Sequence, residues 1–281
     1  MIYIAYSDES YRNERYRSIA TITFPKIHLE DINEKISICL SSSNVSEFKW
    51  QKLRTAKYLF CASKIVKTTF DILDKYDARI DTIIWDTHDS RHNVVGRDDE
   101  ANFERMFYHL HNNTFKKRVR NAKWEVYPDE NLAIDWDTVA TCLESGGRRY
   151  DIREYPLIGE FLCSNYYFIQ KFEQIQSNLH YCCQMTDLFA GLAVFSKTHY
   201  SSYKKWLENR IPGLWKQDIT PVTNREEYRY TLLLNFITDC KARKLGVSLD
   251  TNKCLFTMKP KNPINFWHYR PQHEHDKAPT E

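Results

Sequence analysis

Between His180 and Phe195 the chain reads HYCCQMTDLFAGLAVF, a proline-free run whose one carboxylate is Asp187. Tyr181, Met185, Leu188, Leu192 and Phe195 follow a 4-3-4-3 spacing, one apolar stripe of an α-helix that must be buried against another layer. Gln184, Asp187 and Gly191 line up beside the stripe at i, i+3 and i+7. Ala190 and Gly191 are small, so this flank can approach a sheet closely. An aspartate beside a buried stripe is costly to hold charged unless a metal ion or an arginine compensates it. The competing reading is a half-exposed Asp187 with a helix–helix contact at Ala190 and Gly191.

The layer for that helix comes from strand patterns elsewhere. Ile2 to Asp8 and the β-branched Ser18 to Phe24 read as two strands paired across the polar turn 11–17. Ile27 to Leu40 and Thr55 to Tyr76 have helical apolar spacing. Ala78 to Asp86 returns to strand character, Asp98 to Val119 is an amphipathic helix, and Lys123 to Tyr127 is a strand halted at Pro128. Ile134 to Leu143 reads as helix, and Tyr166 to Ile175 as strand. Strands and helices in this order predict an α/β layer structure around one mixed sheet. No linker or repeat divides the chain, so residues 1–270 are expected to form one domain with a C-terminal elaboration, followed by a flexible tail, 271–281.

Composition narrows the function classes. A net charge of +3 is too weak to argue for a polyanion partner. The basic runs Lys116-Lys117-Arg118-Val119-Arg120, Arg148-Arg149 and Lys204-Lys205 read as solvated faces. Eight cysteines without a CxxC pair read as buried small hydrophobes, not as disulfides or a zinc site. The segment MIYIAYSDES lacks the basic stretch and long apolar core of a signal peptide. No apolar run approaches the ~20 residues of a membrane helix. The expected compartment is therefore the cytoplasm, with no membrane partner.

Four carboxylates fall where functional groups sit when a sheet is the scaffold. Asp8 closes the first strand, Asp129 follows the strand ending at Pro128, Glu47 lies past the first helix, and Asp187 sits on the late helix. Each has a plain structural alternative as a turn, cap or surface residue. Together they have the chemistry of a two-cation centre. Hard divalent ions take carboxylate oxygens, and two ions about 3.5–4 Å apart can clamp the attacking water and leaving oxygen of a phosphodiester.

The segments IYIAYSDES (2–10), Glu47-Phe48-Lys49-Trp50 and Gln184-Met185-Thr186-Asp187-Leu188-Phe189-Ala190-Gly191 resemble the domain of unknown function 3800 family. Ile264-Asn265-Phe266-Trp267 also resembles the closing strand of its longer members. The resemblance implies an RNase H-like fold, a mixed sheet flanked by helices, and a metal-dependent nuclease. It implies Asp8 as first-strand ligand, Asp187 as final-helix ligand, Asp129 as fourth-strand acid and Glu47 as the acid after the early helices. Mg²⁺ or Mn²⁺ would be the cofactor and nucleic acid the substrate. One departure stands out: the family continues its DES motif with glycine, whereas this chain has Tyr11, so the turn must be built without a permissive residue.

Other readings remain open. Glu47-x-Lys49 matches the E-x-K of restriction-type nucleases, in which the lysine steadies developing charge. His88-x-x-x-His92 has helical zinc spacing but reads as loop, and His109-x-His111 and His273-x-His275 lack zinc-site partners. Phosphate-loop, dinucleotide and hydrolase-elbow motifs are absent. The non-enzyme alternative is an inactive RNase H-like adaptor that binds nucleic acid or protein.

Overall fold

Strand β1 (Ile2–Ser10) is buried along almost its whole length, because both faces of its sheet are covered. Alternation divides its side chains. Ile4 and Tyr6 enter one core, and Tyr3 and Ala5 another on the opposite face. The structure is a computed structural model describing residues 1–89, 96–119, 121–148, 166–210 and 223–270.

β1 pairs antiparallel with β2 (Tyr16–Pro25), which pairs antiparallel with β3 (Arg79–Asp86). On its other side β1 runs parallel to β4 (Ala122–Pro128), itself parallel to β5 (Tyr167–Phe172). β8 (Ile264–His268) adds to β3 in parallel, giving the order β5-β4-β1-β2-β3-β8. The mixed sheet flanked by helices, with β2 and β3 antiparallel in succession on one side of β1 and β4 and β5 parallel on the other, is an RNase H-like α/β fold. The strand patterns read from the sequence reappear within a few residues, Tyr166–Ile175 shortening to Tyr167–Phe172.

Helices α1 (Leu29–Ser41), α2 (Ala56–Lys75), α5 (Tyr181–Thr198) and α7 (Asn224–Ala242) build the core on the Ile4–Tyr6 face. Helices α3 (Asp99–Lys117) and α4 (Trp136–Gly147) pack the opposite face through Phe103, Phe107, Trp136 and Leu143. Helix α6 (Tyr200–Glu208) and the short pair β6 (Val247–Ser248) and β7 (Phe256–Thr257) lie in the C-terminal part. α7 opens with a reciprocal capping box between Thr223 and Glu226.

α5 is more deeply placed than its stripe implies. Every residue from Cys182 to Ser196 is buried, so the helix lies sandwiched between the sheet and the other helices. Asp187 is 7% exposed, which removes the half-exposed reading. The small flank serves two contacts: the Ala190 carbonyl accepts from Ser18 Oγ on β2 at 2.7 Å, and Gly191 lies under the Trp50 indole.

The cysteines at 39, 61, 142, 182, 183, 240 and 254 are free and buried, as their apolar settings imply; Cys163 lies outside the described residues. So do His92, Arg120, Arg149, His273, His275 and the expected tail 271–281. Among the described residues no helix is long and apolar enough to cross a membrane.

Candidate metal centre

The parallel register of β1 and β4 sets Tyr6 opposite Tyr127 and Ser7 opposite Pro128. One step further Asp8 and Asp129 come side by side, with Asp129 N–H donating to the Ser7 carbonyl at 2.9 Å. Side-chain parity turns both acids toward α5. One pair earlier on that face, the rings of Tyr6 and Tyr127 stack 5.2 Å apart. A carboxylate oxygen of Asp8, one of Asp129 and the Cys183 sulfur of α5 lie within 4.8 Å of one another.

Asp187 stands one α5 turn from Cys183. It is tied to the segment between α1 and α2, where Trp50 N–H donates to Asp187 Oδ2 at 2.6 Å. Gln184 grips the same segment. Its Oε1 accepts from Phe48 N–H at 2.8 Å, and its Nε2 donates to the Ser177 carbonyl at 2.9 Å. Residues 48–50 are thus strapped along the flank of α5, which delivers Lys49 to the acids. The Lys49 ammonium lies 3.4 Å from Asp129 Oδ2 and 3.9 Å from Asp8 Oδ2, and donates to Ser177 Oγ at 2.6 Å. Asp129 Oδ1 accepts from Ser177 N–H at 2.9 Å.

The strap is itself clamped. Arg229 of α7 donates to the Trp50 carbonyl at 2.9 Å and lies 4.5 Å over the indole ring. Trp50 Nε1 donates to the Tyr11 hydroxyl at 2.8 Å. Tyr11, at the position where the resembled family has glycine, has φ of +63°, the left-handed conformation glycine tolerates. The tyrosine accepts that backbone and supplies a hydroxyl that a glycine lacks.

Burial governs the electrostatics. Asp8 is 4% exposed. Burial drives its carboxyl well above the usual range, and the charges of Asp187, Glu9 and Asp129 add to the rise while Lys49 opposes it. Asp187 is pushed up to about 6 by burial, against the opposing pull of the Trp50 N–H and Lys49. Glu9 is raised to about 7, again by burial first, although Asn131 donates to its Oε1 at 2.7 Å. For Lys49, burial lowers the ammonium's pKa, but the attraction of Asp8, Asp129 and Asp187 outweighs it and the net shift is upward.

The donor set fits a hard divalent cation. Two carboxylates within 4.8 Å match the roughly 4–5 Å between opposed oxygens around one Mg²⁺- to Ca²⁺-sized ion. Asp8 Oδ2 is buried and accepts no hydrogen bond, with the Lys49 ammonium 3.9 Å away. Cys183 fits less well. Burial raises its thiol well above the ordinary value, and it donates weakly to the Ser7 carbonyl at 3.4 Å.

Of the four sequence candidates, Asp8 and Asp129 meet directly and Asp187 is their charged neighbour across the strap. Glu47 stands apart: its carboxylate pairs with Lys52 at 2.7 Å, and its charge adds to the rise at Asp187. The sequence reading passed over Glu9, Ser177 and Cys183, and weighed Lys49 only within the E-x-K alternative. The alternation of Glu47 and Lys49 did carry a signal for the lysine.

The chain is 36% identical over 295 aligned positions to the uncharacterized protein ORF2′ of Methanothermobacter thermautotrophicus, spanning 99% of this chain and 98% of that protein. It belongs to the ORF2 family. The uncharacterized protein ORF2 of the same organism is 34% identical over 294 positions, with the same coverage. No protein-family model matches the ORF2-family chain, so its motif resemblance to the domain of unknown function 3800 family gains no support there. Among solved structures, the crystal structure of ribonuclease H2 from Pyrococcus horikoshii OT3 matches with a TM-score of 0.38 and 14% identity, over 84% of this chain and 99% of that one.

Proposed function

We propose that this protein is a divalent-metal-dependent nuclease that hydrolyses phosphodiester bonds of DNA or RNA in the cytoplasm. The observation that carries the reading is the orphaned, buried Asp8 Oδ2 within a carboxylate pair on adjacent strand ends. A charged oxygen held without a hydrogen bond is expensive, and a cation bound there supplies the missing partner. Asp8 and Asp129 would hold Mg²⁺ or Mn²⁺ directly, with Asp187 as the third acid and Glu47 as an outer member. The ion would activate water and balance charge developing on the phosphate. Asp187 is fixed for its part by the Trp50 N–H, and Asp129 by the Ser177 N–H, so neither carboxylate needs to reorganise.

The test is cleavage of labelled single-stranded, duplex and hybrid nucleic acids with added Mg²⁺ or Mn²⁺, for the wild type and for Asp8→Asn and Asp187→Asn. The expected result is metal-dependent cleavage that both variants lose, while they stay folded and lose the metal-induced rise in Tm. A wild type that cuts none of these substrates and whose Tm ignores metal would sink the reading. The adaptor alternative would then hold, and one observation favours it: Lys49 already balances charge in the acid cluster.

A further inference from the structure

The chain brings its own cation into the acid cluster. Lys49 extends from the strap on α5 toward Asp8 of β1, Asp129 after β4 and Asp187 of α5, with the Cys183 thiol of α5 beside them. Its distances to the two carboxylate oxygens, 3.4 and 3.9 Å, are those of a charge standing at the edge of a site. The one short bond its ammonium makes is to the neutral Ser177 hydroxyl, at 2.6 Å. The lysine side chain is 29% exposed, so a route outward is open to it. We propose that Lys49 is a displaceable counter-ion. It neutralises the buried acids in the metal-free protein, competes with the divalent cation for them, and so sets the metal concentration at which the site loads.

The electrostatics run in two directions. Without metal, several acids in one buried place repel one another, and a monovalent cation a few ångströms away lowers that repulsion. When a divalent cation enters, the same ammonium becomes a like charge beside it and must move toward solvent or weaken binding. Ser177 resists that movement because its hydroxyl holds the ammonium inward while its N–H holds Asp129. A lysine that only packed the strap would not link metal-free stability and metal affinity with opposite signs.

This inference rests on the proposed metal chemistry, and its test separates the two. Mn²⁺ binding is measured by calorimetry, and Tm with and without Mn²⁺, on the full chain, its Lys49→Met and Lys49→Gln variants, and Ser177→Ala. The expected result is a metal-free Tm several degrees lower in both Lys49 variants, together with Mn²⁺ affinity about tenfold tighter. Ser177→Ala keeps the lysine and the backbone bond to Asp129, so it should fold normally and tighten Mn²⁺ two- to threefold, roughly the weakening of one anchor. Mn²⁺ affinity unchanged or weaker in all three variants overturns the counter-ion role while leaving the metal site intact. Binding by the variants but not by the wild type supports the counter-ion and removes the nuclease reading of the natural chain. If no protein binds Mn²⁺, both proposals fall.

Discussion

Gly191 lies so close beneath Trp50 that a Cβ at position 191 would sit 2.1 Å from the indole Cγ. The ring cannot simply tilt away, since Arg229 covers it and Tyr11 accepts from its Nε1. Trp50 also supplies the backbone N–H that fixes Asp187. Gly191→Ala should therefore destabilise the fold by about 1–3 kcal/mol, the usual cost of overpacking. Thermal unfolding checks it, and the metal-induced rise in Tm should shrink with it. A normal Tm in this variant would mean that the strap is not held where described.

Acid stability should run opposite to the common pattern. The folded-state carboxyls of Glu9 and Asp187 are raised to about 7 and about 6, and Asp8 is raised well above its ordinary value, with burial the largest cause in each. Below the unfolded pKa, near 4, all are protonated in both states and carry no penalty. As pH climbs through the folded values the native state must charge buried groups, so metal-free stability declines across about pH 4–7 and stays low above. Glu9→Gln should flatten this decline, gain on the order of 2 kcal/mol at about pH 8, and match the wild type near pH 4. Denaturant unfolding at several pH values, with metal chelated, decides it.

Tyr11 combines a strained backbone with a useful hydroxyl. Tyr11→Phe should cost about 1–2 kcal/mol, because it strips the partner from a buried indole N–H. Between two truncations, Tyr11→Gly should be more stable than Tyr11→Ala by about 1 kcal/mol, since only glycine enters the left-handed region freely. Equal Tm values for the glycine and alanine variants would show that position 11 is not left-handed in solution.

Cys183 offers a way to probe the centre without touching its acids. A thiolate attracts soft ions, whereas Mg²⁺ and Mn²⁺ prefer oxygen. With its sulfur within 4.8 Å of the Asp8 and Asp129 oxygens, Cd²⁺ should bind the wild type tightly and Cys183→Ala about tenfold more weakly. Mn²⁺ binding should change little. Calorimetry with each ion reads both, and equal Cd²⁺ affinities would place the sulfur away from the ion.

Much of this arrangement was legible before the structure because period and position carry it. Asp8 and Asp129 stand at strand ends, and alternation along IYIAYSD and WEVYPD turns them to one face. Asp187 was legible as a polar residue beside a stripe. What escaped depends on contacts far apart in sequence. The segment 47–50 has no periodicity, and its course is set by Gln184 and Asp187, more than 130 residues away. The full burial of α5 was hidden because Thr186, Ala190, Ala193 and Ser196 sit equally well at surface or core. Glu47 stands beside the same motif, where its carboxylate pairs locally with Lys52.

The acid centre draws on β1 and on α5, elements separated by most of the chain. During synthesis Asp8 leaves the ribosome well before its partners at 129 and 187, which follow only after more than a hundred further residues. No nascent fragment ending before α5 carries all three acids, so whatever chemistry they perform is withheld until the fold around them is largely in place. Translation itself thus separates the birth of the first acid from the birth of the site.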